Sequence, residues 1–69
     1  MKPLSGKQVC LILMKHDFIQ VRQRGSHIIM QKQLADDTIT IPVPNHKELR
    51  TGTLRSIIRQ SGIDKTDFK

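Results

Sequence analysis

The sequence predicts an α+β fold in the order α-β-β-β-α, a three-stranded antiparallel sheet with two helices on one face. Three observations carry this reading. A capping-box signature precedes an apolar stripe at helical spacing. Two apolar stretches are joined by a glycine turn, and a third alternates cleanly. A second amphipathic stretch ends at a glycine.

The first helix starts at Ser5, with Gln8 three residues on as its reciprocal capping partner. Val9, Ile12, Leu13 and His16 fall on one face, with Cys10 and Met14 beside it. Cys10 reads as a small buried apolar residue and His16 as a helix C-terminal residue favoured by the dipole. The helix is expected to end at His16-Asp17, with Asp17 in the left-handed exit position that glycine commonly fills.

Phe18-Ile19-Gln20-Val21-Arg22 alternates apolar and polar, and Ile28-Ile29-Met30 continues apolar beyond Arg24-Gly25-Ser26-His27. Gly25 supplies the positive φ of a two-residue hairpin turn, whether the loop is Arg24-Gly25 or Gly25-Ser26. Strand parity then places Ile19 and Val21 with Ile28 and Met30, and puts Arg22, Arg24 and His27 together on the opposite face. Gln31 to Asp37 is a polar connection, in which Asp36-Asp37 reads as solvated loop because no third ligand stands nearby.

Thr38 to Val43 alternates with Ile39, Ile41 and Val43 inward. Pro42 ends this strand or marks it as an edge. After the basic connection Lys47-Glu48-Leu49-Arg50, Thr51 or Thr53 caps a second helix with Leu54, Ile57 and Ile58 on its inner face. Gly62 stops it, with Ile63 placed for the accompanying apolar contact. Asp64 and Asp67 could open one more short turn. The order is that of double-stranded-RNA-binding domains. The face opposite the helices would carry Gln20, Arg22, His27, Gln31, Thr38 and Thr40.

At 69 residues the chain reads as one domain with a small core. Twelve Lys and Arg against six Asp and Glu give a formal charge of +6, which points to a polyanion: nucleic acid or an anionic membrane surface. The longest apolar run, Val9 to Met14, is far short of the ~20 residues of a spanning helix, so no membrane partner is expected. Met1-Lys2-Pro3-Leu4 runs straight into a helix start without a secretory signal. The single cysteine, Cys10, cannot form an internal disulfide, which makes a reducing cytoplasm the default. Phe18 and Phe68, with no Tyr or Trp, leave the chain without the stacking residues of single-strand-binding sheets.

Ser5-Gly6-Lys7, the run Val21-Arg22-Gln23-Arg24-Gly25-Ser26-His27, Ile41-Pro42-Val43-Pro44, and the stretch from Gly52-Thr53-Leu54-Arg55-Ser56-Ile57 to Ile63 together resemble the HicA-type toxins of prokaryotic toxin–antitoxin modules. The resemblance implies a small ribonuclease, an mRNA interferase, held off by a HicB-type antitoxin encoded alongside. The family's catalytic histidine is that of Gly-Ser-His, which maps to His27. Asp17 departs from the glycine commonly found after the first helix, which touches only the turn.

The residues allow that chemistry. RNA carries its own nucleophile, the 2′-hydroxyl, so cleavage needs proton transfer and charge stabilisation and no metal or other cofactor. His27 could take the 2′-OH proton or protonate the departing 5′-oxygen; the neighbouring guanidiniums of Arg22 and Arg24 lean it toward the base role. His46 is a candidate for the complementary acid. Arg22, Arg24, Ser26, Lys47, Arg50 and Arg55 are the expected RNA contacts; Arg50 and Arg55, with Arg59, read as phosphate or antitoxin contacts and not catalysts, because a permanently charged guanidinium does not shuttle protons. A non-catalytic module binding structured RNA is the first rival reading, and a purely structural or protein-interaction domain the second. Against the first, the second helix lacks the Lys cluster that such modules place at its start. Against the second stand the charge and the polar sheet face.

Overall fold

The computed structural model describes residues 3–68. Met1 and Lys2, read above as leading into the first helix, lie outside them. Helix α1 (Gly6–Lys15) is followed by strands β1 (Ile19–Arg24), β2 (His27–Gln33) and β3 (Thr38–Pro44), then helix α2 (Thr51–Ser61) and a 3₁₀ turn over Lys65–Asp67. The strands pair antiparallel in the order β1-β2-β3, so β1 and β3 are both edges, and Pro42 sits on the β3 edge. Both helices lie against one sheet face. Val9 and Leu13 of α1 and Leu54 and Ile57 of α2 join Ile28, Met30, Ile41 and Val43 in the core. The α-β-β-β-α expectation holds.

Local chemistry sets the helix ends. The Ser5 backbone N–H donates to Gln8 Oε1 (2.9 Å), and the Gln8 N–H donates to Ser5 Oγ (3.1 Å), closing the capping box. Asp17 takes φ 72° where α1 exits, and Gly62 takes φ 73° where α2 stops, with Ile63 packed against the core behind it. The start of α2 differs from expectation: Arg50 is its N-cap, and neither Thr51 nor Thr53 supplies a cap oxygen. Burial of Leu49 (5% exposed), whose N–H donates to the Leu4 carbonyl at 2.8 Å, anchors the helix start instead. Asp64 caps the final turn, accepting from the Thr66 N–H at 2.9 Å.

The register of β1 overturns one parity expectation. Arg24 faces His27, Gln23 faces Ile28 and Arg22 faces Ile29, but Gln20 rather than Val21 faces Met30, so Val21 is the extra residue of a β-bulge. Ile19 therefore pairs with Gln31 on the open face and is 63% exposed, while Val21 is 41% exposed; neither joins Ile28 and Met30. Gln20 moves the other way, from the expected open face to the helix side. The physical reason stands just before the strand. With Ile19 turned outward, Phe18 turns inward and is 1% exposed, and burying the larger ring outweighs burying an isoleucine. An edge strand tolerates the kink because only one side of its ladder is committed.

Candidate nucleic-acid interface

The hairpin builds the centre of the site. Gly25 (φ 58°) and Ser26 form the two-residue turn, and φ is positive only at Gly25, the pattern of a turn with glycine first. Two residues is the shortest connection, so Arg24 and His27 become direct cross-strand partners with side chains on one face. On the other flank His27 pairs with Pro44 of β3. Arg22 projects from the same face two residues along, opposite Ile29. Ile29 is only 8% exposed between Arg22 and Pro42, yet stands apart from the main core. Further along, the Gln31 amide donates to Thr40 Oγ1 across the strands at 3.2 Å. The face thus runs from a basic end bearing His27 to a neutral polar end.

The β3–α2 connection closes up against this basic end. The Asn45 N–H donates to the Ser26 carbonyl at 2.6 Å, and the Gly6 N–H donates to the His46 carbonyl at 2.9 Å. Gly6 is buried there because a Cβ would overlap the Pro44 carbonyl oxygen. The start of α1, the hairpin turn and the end of β3 therefore meet, and a cleft of about 290 Å³ opens among Ser5, Lys7, Asn45, His46 and Lys47.

Arg22, Arg24, Ser26 and His27 are exposed together at the hairpin, and Lys47 lies in the adjoining cleft. Arg50 is exposed at the N-terminus of α2. Arg55 sits elsewhere, in a depression on the helical layer with Ile58, Arg59 and Lys65. His46 lines the cleft beside Lys7 and Lys47. Lys7 and Asn45 were not expected at the site. No local pattern marks them, because the backbone bonds between distant segments bring them there.

The electrostatics are one-sided. Neither β1 nor β2 contains an acidic residue, and among the described residues the sole ion-pair contact is His16 Nε2 to Asp67 Oδ2 (3.5 Å), which ties the end of α1 to the final turn. The Arg22 and Arg24 guanidiniums are thus left to an external anion. Among the described residues no three His, Cys, Asp or Glu side chains gather as a metal site, and Asp36-Asp37 forms a turn in which Asp37 Oδ1 accepts from the Thr38 N–H at 2.7 Å. Cys10 is 5% exposed, and burial pushes its thiol pKa up. An exposed imidazole beside two uncompensated guanidiniums can exchange a proton at a bound phosphodiester while the arginines hold its charge. No helix among the described residues is long and apolar enough to cross a membrane.

A comparison with curated proteins finds no match. Residues 6–63 match the family described as HicA toxin of bacterial toxin-antitoxin; the matched span takes in both helices to Gly62, the hairpin with His27 and the β3–α2 connection. The chain belongs to the HicA toxin family of bacterial toxin–antitoxin modules.

Proposed function

We propose that this toxin is a metal-independent endoribonuclease that cleaves mRNA with His27 as its catalytic residue, acting as one HicA-like domain in the cytoplasm. The observation that carries the reading is the direct pairing of His27 with Arg24, with Arg22 on the same open, acid-free face. His27 takes the 2′-hydroxyl proton, and the freed oxygen attacks the adjacent phosphorus while the arginines stabilise the charge that develops there. The bond from phosphorus to the 5′-oxygen breaks, giving a 2′,3′-cyclic phosphate and a 5′-hydroxyl that takes its proton from solvent water. Ser26, Lys47 and Arg50 extend the phosphate contacts away from the scissile bond, and Arg55 contributes one from the helical layer. A HicB-type antitoxin neutralises the toxin by presenting carboxylates to the basic face and competing with RNA for it.

His27→Ala tests the assignment. Cleavage falls on the order of 10²–10⁴-fold, the worth of a positioned general acid or base. Stability changes within about 0.5 kcal/mol, as for an exposed residue free of special contacts. His27→Lys supplies a cation but no base titrating near neutral pH, and it does not restore cleavage. Cleavage also survives a chelator. A folded His27→Ala protein that still cuts RNA leaves the RNA-binding module as the reading.

A further inference from the structure

The bulge at Val21 that follows from burying Phe18 also reshapes the helix side of β1. The helix-facing positions of this strand, opposite Met30 and Ile28, are held by Gln20 and Gln23. The apolar face of the sheet therefore stops at β2, while α1 overhangs the edge. Between them runs an open groove of about 360 Å³ floored by Cys10 and Ile28, with Leu11 and Met14 on its helix wall and the two glutamines on its strand wall. Leu11 is 59% and Met14 44% exposed, so two large apolar side chains of one helix face solvent over an apolar floor.

We infer that this α1/β1 groove, on the other side of β1 from His27 and meeting the cleft beside the hairpin at Lys7 and Asn45, is a docking surface for the antitoxin. The inference rests on the toxin–antitoxin membership and not on the nuclease reading. Charge selects the occupant. Lys7 lines the groove, Lys15 lies on the same helix, and neither α1 nor β1 contains an acidic residue. A second copy of this +6 chain would bring like charge against like, and the bulged, arginine-bearing edge of β1 resists pairing with itself. RNA would find aliphatic walls without stacking rings, and a single lining cation, Lys7. An acidic protein segment with apolar side chains satisfies both features: its aliphatic groups fill the space beside Leu11 and Met14, Gln20 and Gln23 offer hydrogen bonds at the rim, and its carboxylates meet the flanking cations. Bound there, the antitoxin holds the toxin by an apolar anchor while the rest of its surface reaches the histidine face.

The Leu11→Ala/Met14→Ala double variant decides the matter, since alanine suits exposed helix positions and adds no charge. The cognate antitoxin, purified separately, is titrated into the wild type and the variant by calorimetry, with circular dichroism confirming the fold. Its dissociation constant rises at least tenfold, as for removal of an interface anchor, while affinity for a single-stranded RNA oligonucleotide stays the same. Leu11→Glu raises the antitoxin constant further, toward 100-fold, by setting a carboxylate against carboxylates. Unchanged antitoxin affinity in both variants overturns the proposal. So does a fall in RNA affinity in the alanine variant, which would make the groove part of the RNA track. A wild-type dimer that the alanine variant converts to monomer would make a second copy the occupant. Because antitoxin binding is read without any cleavage, an absent nuclease activity leaves this outcome legible.

Discussion

Arg24 and His27 face each other across the Gly25–Ser26 turn as direct cross-strand partners, and no acidic side chain on either strand competes for the guanidinium. This relationship is local. It depends on a two-residue turn and on strand parity, so it survives wherever the hairpin forms.

Replacing Arg22 and Arg24 together by Gln should weaken RNA binding and slow cleavage without unfolding the protein, because both side chains are exposed. The salt dependence carries the diagnosis. Each cation withdrawn from a phosphate flattens the slope of log affinity against log salt by about 0.7 for a single strand, so the double variant should show a slope shallower by roughly 1.4. Affinity measured over a salt series checks this, and an unchanged slope would remove both arginines from the phosphate path.

Gly6→Ala and Gly52→Ala should move stability in opposite directions. A Cβ at Gly6 runs into the Pro44 carbonyl oxygen, which is backbone and cannot swing aside, at the point where the Gly6 N–H holds the His46 carbonyl. The expected cost is about 1–3 kcal/mol, as for overpacking. Gly52, in the first turn of α2, has open space around its Cβ position, and alanine there should add about 0.4–1 kcal/mol by restricting the unfolded chain. Urea midpoints of the two variants report both signs.

Cys10 should resist alkylation in the folded protein at a pH where the unfolded chain reacts, since burial holds the thiol protonated. The linkage has a definite sign. The folded state keeps the proton to higher pH than the unfolded state does, so this contribution to stability is complete below the unfolded thiol pKa, about 8.5, and is lost as pH rises from there through the raised folded value. Urea unfolding of the wild type and Cys10→Ala from pH 7 to 10 should show the wild type losing more stability over that window. Parallel curves would show that the thiol does not titrate differently in the two states.

Much of this protein was determined by the sequence itself. The Ser5–Gln8 capping box, the exit at Asp17, the two-residue turn at Gly25, the inward run Ile39, Ile41 and Val43, and the common face of Arg22, Arg24 and His27 all rest on interactions within a few residues or on a two-residue period. Such interactions leave their mark in spacing. Tertiary packing decided the rest. Whether Phe18 or Ile19 entered the core depended on the space beneath α1, and the bulge at Val21 followed from that competition. The start of α2 was set by Leu49 meeting Leu4 rather than by a threonine cap, and Lys7 and Lys47 line one cleft only because a buried glycine let α1 abut Pro44. In each case the partners are distant in the chain, and the energy that chose between locally similar alternatives is burial, which no short window of sequence contains.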